Sequence, residues 1–204
     1  MVQALKETQA THRGGKEKSK VCRQDVQVDE EMTLVFDLET NGLLHDVTRI
    51  HCIAIYDSTT DEIETYNDEK NNKYSITEGL NKLLVADTIV GHNIIGYDIP
   101  CISKLYNFFT PRSRIVDTLL LSRLYHPNLY DIDDRHRWKG MELKHYGRHS
   151  LEAYGYRLGE HKGNFGKTSD WSEWSQEMED YCAQDVEVTK KLCDHFHPYL
   201  TGLR

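Results

Sequence analysis

The sequence lacks the features that mark several protein classes. Its five cysteines are odd in number and include no C-x-x-C pair, which argues against a disulfide framework or a cysteine-based zinc cage and favours a reducing cytoplasm. No apolar run approaches the roughly 20 residues of a membrane span, and the N-terminus has no apolar core of a secretory signal. We therefore expect no membrane partner.

An excess of basic residues is also missing. The formal net charge of −8 excludes a uniformly basic nucleic-acid coat. It does not exclude an enzyme that acts on nucleic acid, because a metal site concentrates carboxylates whose charge the bound cations cancel locally.

The length of 204 residues suits one domain with a sizeable core. Residues 1–31 are polar and without aromatics, and up to Gln24 six basic residues stand against two acidic ones. Such a composition is typical of a disordered tail, and an arm that touches DNA or a partner protein is the alternative. We predict a flexible N-terminal tail at 1–31 and one folded domain at 32–204.

From Met32 onward, short apolar runs alternate with segments of helical spacing, which indicates an α/β fold. The pattern predicts strands at 33–38, 49–56, 61–66, 88–90 and 114–116 and helices at 76–85, 97–109, 117–125, 150–158 and 172–199. The segments 126–147 and 160–170 are predicted to be loops.

Four carboxylates stand on three of these segments. Asp37 and Glu39 end the first strand and point to the same side, because side chains alternate along a strand. Asp98 follows Tyr97 where a helix should begin, so its simpler interpretation is a helix N-cap. Asp185 lies one helical turn after Tyr181 and shares its face of the last helix. Convergence of the four carboxylates would suit two hard divalent cations, which prefer oxygen ligands.

The order of these motifs resembles a known family. A strand with D-x-E at 37–39, N-x-x-x-Y-D at 93–98 and Y-x-x-x-D at 181–185 are similar to the DEDD-type 3′–5′ exonucleases of the ribonuclease H-like fold. Tyr181 indicates the tyrosine subclass, because Asp180 stands where the histidine subclass has its histidine. Longer strings, at 37–44, 117–124, 150–160 and 184–190, are similar to the proofreading domain of family A DNA polymerases from short-tailed bacteriophages.

The resemblance covers about residues 33–199 and implies a ribonuclease H-like mixed sheet flanked by helices. It implies two Mg²⁺ ions, for which Mn²⁺ can substitute, with Asp37, Glu39 and Asp185 holding one ion and Asp37 with Asp98 placing the second. Tyr181 would orient the attacking water, since a phenol with a pKa near 10 is a poor base at neutral pH.

The same resemblance implies contacts with the terminal nucleotide from Leu38, Thr40 and Asn93, and the alternative for Leu38 is plain core packing. A basic stretch interleaved with Trp138 and Tyr146 suits phosphate contact and base stacking, and the alternative is a solvated mobile loop. The basic residues of that stretch are Arg135, Arg137, Lys139, Lys144 and Arg148.

Three other features favour simpler interpretations. Trp171 and Trp174 are expected to pack in the core rather than to form a stacking platform. The acidic run 131–134 lacks the glycine and closing glutamate of a calcium loop and is expected to be a polar turn. The histidine pairs at 145/149 and 195/197 lack partners at zinc-ligand spacing.

We therefore expect a 3′–5′ exonuclease that acts on single-stranded or frayed DNA 3′ ends and releases nucleoside 5′-monophosphates. Since the chain ends at Arg204, we expect a proofreading subunit that works beside a separate DNA polymerase, in the host cytoplasm if the gene is a phage gene. An exoribonuclease is the first alternative, because DEDD-type folds also trim RNA. A non-catalytic nucleic-acid-binding or polymerase-binding module is the second.

Overall fold

The computed structural model describes residues 31–160 and 170–203. Apart from Glu31, the predicted tail at 1–31 lies outside the described residues, and so does most of the predicted loop at 160–170. The domain boundaries therefore stay a prediction.

A five-stranded mixed sheet forms the centre of the fold, with the strand order β3-β2-β1-β4-β5. The strand β1 pairs with β2 in antiparallel and with β4 in parallel, and β4 pairs in parallel with β5. The predicted mixed α/β sheet with the third strand at its edge is confirmed. The strands are β1 (Thr33–Thr40), β2 (Ile50–Asp57), β3 (Glu62–Tyr66), β4 (Thr88–Gly91) and β5 (Arg114–Asp117).

Six α-helices and one 3-10 turn accompany the sheet in the described residues. The first helix begins at a capping box, in which the Ser75 hydroxyl and the Glu78 carboxylate each accept a backbone N–H at the helix start. The helices are α1 (Ile76–Val85), α2 (Asp98–Leu105), α3 (Thr118–Tyr125), α4 (Leu129–His136), α5 (Leu151–Leu158) and α6 (Gln176–Leu200), with the 3-10 turn at Leu143–His145. No helix of the described residues is long and apolar enough to cross a membrane.

Two predicted boundaries, one predicted loop and one predicted turn are wrong. The helix predicted at 97–109 ends at Leu105, because Tyr106 is extended and a turn brings Phe109 into the core. The last helix begins at Gln176 rather than 172, because the Ser175 side chain caps it. The predicted loop 126–147 contains α4 and the 3-10 turn, and the predicted polar turn at 131–134 lies within α4.

The two faces of the sheet carry separate apolar clusters. Leu34, Phe36 and Leu38 of β1 face a cluster that includes residues of α1 and α2. Val35 faces the opposite cluster, which contains Met178, Cys182 and Val186 of α6. Since Asp37 and Glu39 continue the alternation of Val35, they emerge on the α6 side of the sheet.

Candidate active site

The carboxyl end of β1 is open on one side. The pairing of β1 with β4 runs only from Thr33 to Val35, so the later part of β1 extends beyond its parallel neighbour. Asp98, the first residue of α2, occupies this region and accepts a hydrogen bond from the backbone N–H of Leu38. At Leu38, the Asp98 carboxylate takes the place of a neighbouring strand as the hydrogen-bond acceptor of β1.

Asp98 is buried, with 3% of its surface exposed, and does not cap its helix. The N-cap is Tyr97, so the simpler interpretation of Asp98 as a capping residue is wrong. Burial raises the pKa of Asp98 to about 7, and the Asp117 carboxylate acts in the same direction. Hydrogen bonds from its own N–H and from Leu38 oppose that rise. A cation placed beside this carboxylate would favour its ionised form.

The turn that leads from β4 into α2 is held by Asp117. Its carboxylate accepts the N–H groups of Asn93 at 2.9 Å and Ile95 at 3.1 Å, and also caps α3 through Leu119 N–H at 2.9 Å. Asn93 has a φ of +66°, a conformation that asparagine tolerates. Sequence periodicity does not indicate this second role of Asp117, because its partners across the turn are distant in the chain.

Close approach of the backbone explains Gly91 at the end of β4. A Cβ atom there would come within 2.1 Å of the Ile94 side chain and 3.0 Å of the Phe36 carbonyl oxygen. The turn can therefore lie against β1, which brings Asn93 and Asp98 toward Asp37 and Glu39.

A β-bulge ends the pairing of β1 with β2. Glu39 lies opposite Cys52 and Thr40 lies opposite Ile50, so His51 is the extra residue. His51 is buried and its Nε2–H donates to the Trp171 carbonyl at 3.1 Å. Burial lowers the pKa of His51 and thus favours the neutral ring. The bulge thereby fixes the segment that precedes α6.

The helix α6 delivers Tyr181 and Asp185 to the same place. Asp185 is buried, and the half-buried Tyr181 ring meets Trp171 edge to face at 6.4 Å. The buried carboxylate of Glu179 anchors this end of the helix. It accepts hydrogen bonds from Thr65 and Asn67 at 2.5 Å and from Trp174 at 3.1 Å.

One cleft of about 690 Å³ collects these side chains, and we call it the acidic cleft. It brings together seven of the predicted site residues: Asp37, Leu38, Glu39, Asn93, Asp98, Tyr181 and Asp185. The other lining residues are His92, Tyr97, Leu119, Arg123, Gly147, Arg148, His149, Ser150, Leu151 and Trp171. Leu38 also belongs to the buried core, as its alternative interpretation predicted, and its contact with a nucleotide stays a prediction.

Thr40 lies next to the acidic cleft rather than in it. It lines an adjoining pocket of about 340 Å³ that shares Glu39, Tyr97 and Trp171 with the cleft. The Thr40 hydroxyl is 2.5 Å from the Tyr97 hydroxyl, which donates to the Gly42 carbonyl.

Three predicted basic contacts lie away from the acidic cleft. Arg135 donates to the Asp131 carbonyl of its own helix, Arg137 ends α4 in a left-handed conformation, and Lys144 pairs with Glu142. Their contact with phosphate stays a prediction. Arg148 of the same stretch does line the cleft, as does Arg123, which sequence reasoning missed because it sits in the ordinary pattern of a helix.

The donor set fits a hard divalent cation. One oxygen each from Asp37 and Glu39 and the Cys182 sulfur lie within 4.8 Å of one another. Burial, with the neighbouring Cys52, raises the pKa of Cys182 well above its usual range, and its thiol donates to the Asp37 carbonyl at 3.3 Å. Since a protonated thiol is a poor ligand, the carboxylate oxygens are the better donors, and these suit Mg²⁺ or Mn²⁺.

The raised pKa of Asp98 predicts a pH-dependent stability of the metal-free protein. An unfolded aspartate has a pKa of about 3.9, whereas burial raises that of folded Asp98 to about 7. Between these values the folded state binds more protons, so the free energy of unfolding should fall as pH rises, by at most about 1.4 kcal/mol per unit.

Asp98→Asn should remove that decline. In metal-free buffer the variant is expected to exceed the wild type in stability at pH 8 and to approach it near pH 4, as measured by urea unfolding across the pH range. Asp180→Asn, which alters an exposed carboxylate of α6, is the control and should keep the wild-type profile. An unchanged profile in Asp98→Asn would contradict the assignment.

Comparison with known proteins identifies the family to which the chain belongs. A family model described as RNase H superfamily matches residues 34–197. The DNA-directed DNA polymerases of Escherichia phage T7 and Enterobacteria phage T3 are each 38% identical over 184 residues, covering 79% of this chain and 26% of each polymerase. The chain therefore spans about a quarter of the length of these relatives.

Solved structures of Brucella melitensis NrnC also share the fold. The structure with bound Mg²⁺ has a TM-score of 0.55 and 21% identity, covering 83% of this chain and 75% of NrnC. The structure bound to pGG has a TM-score of 0.56 and 20% identity, covering 83% and 74%. The predicted ribonuclease H-like fold and the resemblance to phage DNA polymerases are confirmed.

Proposed function

Because the chain belongs to the RNase H superfamily, we propose that it is a metal-dependent 3′–5′ exonuclease that hydrolyses DNA and releases nucleoside 5′-monophosphates. The observation that carries the proposal is the convergence of four carboxylates from β1, α2 and α6, together with Tyr181, in one open cleft. A cluster of four carboxylates, of which Asp98 and Asp185 are buried, is costly through mutual repulsion, so its presence favours a cation-dependent reaction over a plain binding surface.

In the proposed reaction, Asp37, Glu39 and Asp185 would hold one divalent cation, and Asp37 with Asp98 would place a second. The chemistry that Mg²⁺ or Mn²⁺ supplies when bound is activation of a water molecule and neutralisation of charge on the phosphate. Leu38 and Asn93 line the acidic cleft and would contact the terminal nucleotide, and the Thr40 hydroxyl lies 2.5 Å from that of Tyr97 in the adjoining wall. Tyr181 orients the attacking water by hydrogen bonding.

Tyr181→Phe tests the role of that hydroxyl. If Tyr181 orients the water without acting as its base, the rate should fall by roughly 10- to 1,000-fold, with Mg²⁺ binding unchanged. The pH–rate profile should keep its low-pH limb. Single-turnover rates measured across pH give the fall in rate and the low-pH limb. Tyr199→Phe, which alters a tyrosine outside the acidic cleft, is the control. Loss of the low-pH limb in Tyr181→Phe would instead make Tyr181 the general base.

The substrate test uses matched oligomers. We expect stepwise loss of nucleotides from the 3′ end of single-stranded DNA in Mg²⁺, faster at a mismatched than at a paired terminus, because unpairing costs least at a mismatch. A closed circular single strand should resist. Preference for an RNA oligomer of the same sequence would establish the exoribonuclease alternative, and efficient cutting of circles would show an endonuclease.

We further infer that the chain acts beside a DNA polymerase, since the proteins to which it is similar are DNA-directed DNA polymerases. Affinity purification from source cells tests this proposal. Recovery of a polymerase chain in stoichiometric amount is expected, and its absence under conditions that preserve nuclease activity would contradict the inference.

A further inference from the structure

A histidine that lines the acidic cleft, His149, is hydrogen-bonded to the first of two linked, buried hydroxyl groups. The Nδ1 atom of His149 lies 2.6 Å from the Ser122 hydroxyl, which lies 2.5 Å from the Tyr154 hydroxyl. Ser122 is 0% exposed and Tyr154 is 2% exposed, whereas His149 is half-buried. The interaction thus connects the inner part of α3 and α5 with the wall of the cleft.

The directions of these hydrogen bonds follow from the buried protons. Within the described residues, Ser122 is the only hydrogen-bond partner of the Tyr154 hydroxyl. If Ser122 donated to Tyr154, the phenol proton would be buried without an acceptor there, which costs about 1–3 kcal/mol. Tyr154 therefore donates to Ser122, and Ser122 donates to Nδ1 of His149.

This order fixes the tautomer of His149. Because Nδ1 accepts a hydrogen bond, the ring proton of the neutral imidazole is on Nε2. Since Nδ1 faces the fully buried Ser122, the Nε2 edge of the ring is the part that meets the cleft. The side chain therefore presents a fixed N–H donor to whatever the cleft binds.

The surroundings of His149 identify the class of acceptor. Arg123 and Arg148, both exposed, line the same cleft, and the charge of Arg123 acts on the ring. Burial and the nearby Arg157, Arg123 and His126 lower the pKa of His149, which keeps it neutral at pH 7. A neutral donor among cations suits an anionic oxygen better than a base edge.

We propose that His149 is a substrate-binding residue that donates its Nε2–H to a non-bridging phosphate oxygen of the bound strand, with Ser122 and Tyr154 as its positioning residues. The inference rests on the proposed function, because it takes a nucleic-acid strand as the ligand of the acidic cleft. It also predicts that Arg148 attracts the strand by its positive charge, whereas His149 fixes the position of one phosphate through an oriented hydrogen bond.

Binding of a fluorescein-labelled single-stranded DNA oligomer in EDTA, followed by anisotropy, tests this contact without hydrolysis. His149→Phe should weaken binding by about 10-fold, the loss expected for one hydrogen bond to a charged group. His149→Gln, whose amide can donate toward the same point, should restore most of the affinity. Ser122→Ala should fall between the two, and His136→Phe, outside the acidic cleft, should match the wild type.

The salt dependence of DNA affinity distinguishes the neutral hydrogen bond of His149 from the charge of Arg148. Because His149 is neutral, His149→Phe should keep the wild-type slope of log affinity against log salt, whereas Arg148→Ala should reduce its magnitude by about 0.7. Nitrogen-15 correlation spectra, with the His149 signal assigned by its loss in His149→Phe, should show the Nε2–H tautomer in the wild type and its loss in Ser122→Ala.

Wild-type affinity in a folded His149→Phe, or an Nδ1–H tautomer in the wild type, would overturn the inference while leaving the nuclease proposal intact. Conversely, a wild type that binds with the expected dependence on His149 but releases no nucleotide in Mg²⁺ would support the phosphate contact. That second result would contradict the nuclease proposal alone.

Discussion

Asp37→Ala or Asp185→Ala should abolish nuclease activity and leave the fold intact. Each change removes an oxygen donor from the cluster that would hold the cations, and loss of the several kcal/mol that a bound metal contributes to the transition state corresponds to at least about 10³-fold in rate. Thermal stability without metal should hold or rise, because one member of a repulsive cluster is gone.

Release of nucleotides from a labelled oligomer in saturating Mg²⁺, with thermal unfolding in EDTA, measures both effects. Asp180→Ala is the matched control, because Asp180 is exposed on α6, hydrogen-bonded to Gln176 and absent from the lining of the acidic cleft. It should keep wild-type activity. Substantial turnover by Asp37→Ala would contradict the site, as would equal losses in Asp180→Ala.

A second large effect is expected at Arg157, which is not among the residues that line the acidic cleft. Its guanidinium holds the fully buried Asp133 through two hydrogen bonds of 2.9 and 2.8 Å. Asp133 also accepts the Trp138 ring N–H at 2.9 Å and the Gly147 N–H at 2.8 Å. Arg157→Ala would leave that carboxylate buried without its counter-charge, which costs about 3–5 kcal/mol.

Urea unfolding at pH 7 measures this loss, with the exposed Arg135→Ala of α4 as a control expected to cost under about 0.5 kcal/mol. Burial alone would raise the pKa of Asp133, but Arg157 and Gly147 hold it below its ordinary value. The contribution of the pair is therefore present above about pH 4 and lost as pH falls through the folded pKa, so the difference between wild type and variant should shrink in acid.

Replacing both partners, as Asp133→Leu with Arg157→Met, should recover most of the stability, because no buried charge is then left alone. A full loss in the double variant would indicate that the pair contributes through its hydrogen bonds to Gly147 and Trp138. Stability equal to the wild type in Arg157→Ala would contradict the buried ion pair itself.

Periodicity predicted the parts of the site that depend on one element at a time. The alternation of β1 placed Asp37 and Glu39 together, and the helical turn placed Tyr181 beside Asp185. Both pairs line the acidic cleft because a strand or helix fixes the direction of its side chains whatever surrounds it.

Features that depend on contacts between elements were not predictable in this way. The helix α4 was missed because one of its buried positions holds Asp133, a charged residue that interrupts the apolar pattern. Its counter-charge, Arg157, is 24 residues later in the sequence. Asp117 reads as a helix cap, yet its carboxylate also holds the turn that carries Asn93. The cleft-lining Arg123 has no local signal at all, because its neighbours across the cleft belong to other elements.

The most direct test of the account is anomalous diffraction from crystals soaked in Mn²⁺ with a short DNA oligomer bearing a non-hydrolysable 3′ linkage. We predict manganese peaks in contact with the carboxylates of Asp37, Glu39, Asp98 and Asp185. The last phosphodiester of the strand should lie between these ions and the His149 side chain. Manganese held elsewhere, or a strand bound outside the acidic cleft while these carboxylates hold no ion, would contradict the claim that this cleft is a metal-dependent exonuclease centre.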